Sequence, residues 1–123
     1  MFDCDALSTC DNDTVERYKK AGYKVIDNYE VPIWSLEQLF DKYVKDKTID
    51  ILSIDVEWAD MNVLESNNRN KYKPKYIVLK TVEYAENWSW TWTKNDKEFN
   101  TYLKNKWYKI VADTWINTIY ESE

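Results

Sequence analysis

Three observations predict an α/β fold. Apolar runs of strand length alternate with amphipathic stretches of helix length along the chain. Two of those runs, Ile49-Asp50-Ile51-Leu52-Ser53-Ile54 and Tyr76-Ile77-Val78-Leu79, are nearly continuous in apolar content. Such runs suit parallel strands buried on both faces. The last two runs, 108–111 and 116–120, stand close enough to form an antiparallel hairpin. The expectation is a mostly parallel sheet with an antiparallel C-terminal hairpin, in a single domain spanning residues 1–123.

The first helix is predicted from Asp13-Thr14-Val15-Glu16, an N-cap aspartate with glutamate three residues on. It stops at Gly22, since glycine accepts the left-handed conformation that closes a helix. A strand is expected at Tyr23–Ile26 and a second extended piece, containing Pro32, at Tyr29–Ile33. Ser35-Leu36-Glu37-Gln38 is a capping box, and Leu36, Leu39, Phe40 and Tyr43 follow at helical spacing, so residues 36–45 form an amphipathic helix. Beyond the 49–54 strand a short helix is expected over Asp60–Ser66. The strand at 76–79 comes next, then a helix over Asn95–Lys106 with Phe99, Tyr102 and Leu103 on one side.

Composition narrows the chemistry. The net charge of −5 argues against a phosphate-seeking surface and hence against nucleic acid as a partner. Histidine is absent, which removes Ser–His and Cys–His nucleophile pairs and His-ligated zinc. Cys4 and Cys10 are too few for a four-cysteine metal site or a disulfide framework. The run Asp3, Asp5, Asp11, Asp13 lacks the glycine and terminal glutamate of a calcium loop, so no metal is expected. No basic, apolar leader opens the chain and no run reaches the roughly 20 apolar residues of a membrane span. The expected setting is the cytoplasm, with no membrane partner.

One feature is unusual for a globular chain. Average usage of about 7% predicts roughly nine glycines, whereas Gly22 stands alone and tryptophan occurs seven times. Tyr18-Lys19-Lys20-Ala21-Gly22-Tyr23-Lys24-Val25-Ile26 parallels Tyr102-Leu103-Lys104-Asn105-Lys106-Trp107-Tyr108-Lys109-Ile110-Val111, with Trp107 in the place of Gly22. A bulky residue at positive φ there is strained by about 1–2 kcal/mol. Trp58, directly after a strand, raises the same question. One genetic code reads UGA as tryptophan and another reads it as glycine, and that single difference accounts for both anomalies at once. The alternative is a chain truly rich in tryptophan.

The segment Ile49-Asp50-Ile51-Leu52-Ser53-Ile54-Asp55-Val56-Glu57-Trp58-Ala59-Asp60 resembles a signature of the FkbM family of methyltransferases, in which a hydrophobic strand leads into I-D-V-E-G and an acidic helix. Val63-Leu64-Glu65-Ser66 and then Tyr72-Lys73-Pro74-Lys75-Tyr76-Ile77-Val78-Leu79 continue the likeness. Leu7-Ser8-Thr9 and Val31-Pro32 resemble the family's middle section, so the likeness covers most of residues 7–120. It implies an S-adenosylmethionine-dependent O-methyltransferase on a Rossmann-like sheet, this chain forming the C-terminal part of the domain. Three departures accompany it. The family's glycine-rich cofactor turn has no counterpart here; Trp58 replaces the glycine after I-D-V-E; and Lys80 stands where a glutamate ordinarily ends the next strand, with Glu83 three residues later. Weak or absent cofactor binding is therefore expected of this chain, and no cofactor-binding residue is assigned.

Asp55 and Glu57 fall at the carboxyl end of a predicted parallel strand, where open α/β sheets place ligands. Two apart on an extended chain, they point the same way and can share a proton, an acceptor hydroxyl or a divalent cation. They are the expected catalytic pair, with Trp58, Lys80 and Glu83 as substrate-binding residues. The plainer alternative has one carboxylate capping the helix that begins near Ala59 and the other solvated. Asp50, Ser8 and Thr9 read as capping, turn or solvated residues. Trp88, Trp90 and Trp92 alternate as three indoles would on one face of a strand, a platform for sugar rings and the basis of a rival carbohydrate-binding reading. If they are misread glycines, the same stretch is a loop. A non-catalytic interaction fragment is the third reading. The expected partner is a small-molecule or saccharide hydroxyl acceptor, with association between chains through an exposed sheet edge.

Overall fold

The structure is a computed structural model, and it describes residues 1–4, 8–56, 59–84 and 92–123. The chain divides into two compact units, Met1–Ile33 and Trp34–Glu123.

In the first unit, α1 (Asn12–Lys20) begins two residues earlier than the Asp13 cap predicted. Asp11 is the N-cap: its carboxylate accepts from the Thr14 amide at 2.8 Å and from the Thr14 hydroxyl at 2.6 Å. Both bonds satisfy first-turn groups that would otherwise be orphaned. The helix closes at Gly22, whose φ is +97°, with the Gly22 amide on the Lys19 carbonyl and the Tyr23 amide on the Tyr18 carbonyl. The strand expected at 23–26 is reduced to one antiparallel bridge, Phe2 with Val25, and 29–33 joins no sheet. Phe2 is buried edge-on against Tyr18, so this unit is held by an aromatic contact more than by strand pairing.

The second unit is a four-stranded mixed sheet with helices. Its α2 (Leu36–Tyr43) carries the predicted capping box: Ser35 Oγ accepts from the Gln38 amide at 3.1 Å, and Gln38 Oε1 accepts from the Ser35 amide at 2.9 Å. Next come β1 (Ile51–Ile54), α3 (Asp60–Glu65) and β2 (Tyr76–Lys80). Short strands β3 (Val82–Tyr84) and β4 (Trp92–Lys94) form a separate antiparallel pair that the sequence reading did not anticipate. The chain then runs through α4 (Lys97–Lys104), β5 (Tyr108–Asp113) and β6 (Asn117–Ser122).

Strand order in the larger sheet is β1-β2-β6-β5. β1 and β2 are parallel neighbours, as expected for a connection through a helix, with Ile54 level with Leu79. β6 is antiparallel to both β2 and β5. The predicted C-terminal hairpin is present, but "mostly parallel" is corrected to mixed: β6 returns from a tight turn and so runs against β2. The expectation of strands buried on both faces is also corrected. Along β2 only Ile77 and Leu79 are buried, and their partners Tyr120 and Thr118 are buried with them. This alternation is that of a sheet packed tightly on one face. Leu36, Leu64 and Leu103, one from each of α2, α3 and α4, form one apolar cluster with Ile54, Ile77, Leu79, Tyr108 and Tyr120. β1 lies at the sheet's edge, leaving Ile51 64% exposed.

Candidate active site

The parallel register brings the carboxyl ends of β1 and β2 side by side. Asp55 follows β1, and Lys80 ends β2. Lys80 Nζ lies 3.2 Å from Asp55 Oδ1. The pair is asymmetric: the lysine side chain is 13% exposed and the aspartate 59%. The ammonium is thus screened by protein while the carboxylate faces solvent, where a ligand can approach it.

The turn out of β1 is fixed by a residue that sequence reasoning passed over. Asp60, buried in the first turn of α3, accepts a hydrogen bond from the Val56 amide at 2.9 Å. That bond reaches back four residues and holds Val56 beside Asp55. The acidic start of the helix after the I-D-V-E run was the available signal. The N-cap of α3 is Ala59, with no side-chain cap bond, and Asp55 pairs with Lys80; Glu57, the other carboxylate of the capping alternative, lies outside the described residues.

Beyond Lys80 lie a buried pair of hydroxyl groups and a second lysine. Thr81 is buried between β2 and β3, with its amide on the Ile116 carbonyl and its hydroxyl 2.8 Å from that of Thr118. Lys94, on β4, donates to Asp113 Oδ1 at 2.9 Å, the Trp115 carbonyl at 3.0 Å and Thr118 Oγ1 at 3.1 Å. Its three donors tie the β3–β4 pair to the β5–β6 turn. Lys94 and the Trp115 amide hold the Asp113 carboxyl below the usual carboxylate range.

Of the expected site residues, Asp55 and Lys80 are brought together. Glu57 and Trp58 lie outside the described residues. Glu83 is placed on β3 with its backbone opposite Thr93. Trp88 and Trp90 of the proposed platform also lie outside the described residues, while Trp92 opens β4 opposite Tyr84. In the first unit Thr9 accepts from the Asp11 amide at 3.1 Å, a turn role, and Asp11 is a helix cap.

Residues 3–110 match the methyltransferase FkbM domain. The chain belongs to that family. No curated protein and no solved structure matches it. Methyltransferases of the family generally use S-adenosylmethionine. The described residues do not fit its binding by a glycine turn at a strand end. Gly22 follows a helix, and a Cβ built there would meet nothing within 4 Å, so that glycine serves its φ of +97° and not a close approach of another group. The acidic end of β1 lies within the matched span. Where the family pattern leads one to expect glutamate at the end of β2, Lys80 instead gives Asp55 a charge of opposite sign. Among the described residues no helix is long and apolar enough to cross a membrane.

Proposed function

We propose that this chain carries the acceptor side of an S-adenosylmethionine-dependent O-methyltransferase with a Rossmann-like sheet. The acceptor is a hydroxyl of a small molecule or saccharide. The observation that carries the reading is the Asp55–Lys80 pair at the carboxyl ends of two adjacent parallel strands, within the segment matched to the family. The parallel β1–β2 pair connected through α3 supports the Rossmann-like architecture. Methylation of a hydroxyl needs the oxygen aligned and its proton removed. The outward-facing side chain of Asp55 accepts a hydrogen bond from such a hydroxyl and can take its proton. Lys80 orients the carboxylate from behind, and Glu57, two residues on, is the second carboxylate of the pair.

Two measurements test the reading. Calorimetry on the 123-residue chain is expected to show no saturable S-adenosylmethionine binding at micromolar concentration. A micromolar Kd would overturn the assignment of the chain to the acceptor side alone. Protein expressed with its natural ends, given labelled S-adenosylmethionine and a panel of glycosides and small alcohols, should place label on a hydroxyl oxygen. Cofactor binding without transfer to any hydroxyl acceptor would overturn the O-methyltransferase assignment.

A further inference from the structure

Two tryptophans hold backbone conformations that suit glycine. Trp107 has φ +63° and Trp115 has φ +71°. In this left-handed region a Cβ crowds the carbonyl that follows, and for a bulky side chain the conformation is a true outlier. Among the described residues only one other non-glycine, Lys45, shares it. Tryptophan supplies seven of 123 residues, so two of three such positions is far beyond its share.

Each position has a specific reason to be glycine. The Trp107 amide donates to the Lys104 carbonyl at 3.1 Å after α4, just as the Gly22 amide donates to the Lys19 carbonyl at 3.0 Å after α1. Both are helix-closing residues, and at the first of them the chain uses its one glycine. Trp115 stands first in the two-residue loop of the β5–β6 hairpin, which the Thr114 amide closes on the Asn117 carbonyl at 2.9 Å. Of Trp115 and Ile116 only the first has positive φ, and a loop residue held at positive φ in a two-residue hairpin favours glycine. Neither indole is recompensed by burial: Trp107 is 71% exposed and Trp115 53%.

We propose that positions 107 and 115 are glycine in the polypeptide the source cell makes, their codons being UGA read as glycine rather than tryptophan. Trp58 lies outside the described residues.

The decisive measurement is the fragment-ion mass of residue 115 in the peptide that begins at Ile110, released by cleavage after Lys109 from protein isolated from the source cells. A mass with glycine at 115 is expected, and one with tryptophan overturns the proposal. The codons give a second test, since UGG at either position overturns it there. The physical basis is tested separately with synthetic genes that specify tryptophan, alanine or glycine at 107 and 115 in the full chain. Glycine should lower the unfolding equilibrium constant in urea about tenfold at each site. Alanine removes the indole but keeps the Cβ, and should recover little of that. Glycine variants no more stable than the alanine variants would show that the left-handed backbone does not select glycine.

Discussion

At the residue scale the informative feature is the unequal exposure of Asp55 and Lys80. An ion pair with one partner this exposed contributes little to folding, of the order of 0–1 kcal/mol, because solvent screens it. Asp55→Asn should therefore leave the urea midpoint nearly unchanged. In the protein expressed with its natural ends it should cut kcat for methyl transfer at least tenfold, with cofactor affinity unaltered. A variant that keeps wild-type turnover would remove Asp55 from the chemistry, and one that unfolds would make its role structural. The acidic residue itself was legible in the sequence, because a carboxylate ending an apolar strand is a pattern of local residues. Its partner was legible only as a departure from the family. That Lys80 reaches Asp55 depends on strand register across a sequence separation of 25, and no local spacing encodes that.

At the element scale, structure set by neighbouring residues was read well. The capping box at Ser35 and the parallel pairing of 51–54 with 76–79 follow from local capping chemistry and from apolar runs joined through a helix. What was missed has non-local causes. Thr81 ends β2 because its hydroxyl and amide are taken by β6 and the turn before it, and the chain then re-pairs as β3 with β4. From sequence, Thr81 looks like one more β-branched strand residue. The start of α1 was misplaced because aspartates at 11 and 13 are both good caps, and the Thr14 hydroxyl tips the choice to Asp11. The Thr81–Thr118 contact carries its own expectation. Thr118→Val keeps the shape but leaves the buried Thr81 hydroxyl without its 2.8 Å partner and removes one acceptor from Lys94. A loss of about 1–3 kcal/mol is expected from chemical unfolding. A neutral result would mean that Thr81 is satisfied by the Ile116 carbonyl, 3.4 Å away.

At the scale of the whole molecule, proton linkage adds up across the chain. Several carboxyls sit below their ordinary values: Asp41 beside Lys71 and Tyr72, Asp113 beside Lys94, Glu121 beside the Tyr76 hydroxyl, Asp11 at its helix cap and Glu16 beside Lys19. A carboxyl depressed in the folded state binds its proton more readily when unfolded. It therefore stabilises the fold above its ordinary value, 3.8 for Asp and 4.5 for Glu, and that stability is lost as pH falls through the lower folded value. The same Asp41 raises both Lys71 and the Tyr72 phenol. These groups stabilise the fold below their ordinary values, 10.5 and 10.0, and lose that contribution as pH rises through the raised ones. With no histidine to titrate near neutrality, the urea midpoint should be nearly flat from about pH 5 to 9 and fall at both ends. Asp41 faces both limbs, so Asp41→Asn should make the alkaline fall shallower and soften the acid one, which the other four carboxyls still drive. Urea midpoints across the pH range, wild type against Asp41→Asn, measure this directly. An alkaline limb that the substitution does not change would show that Lys71 and Tyr72 are not coupled to Asp41 in solution.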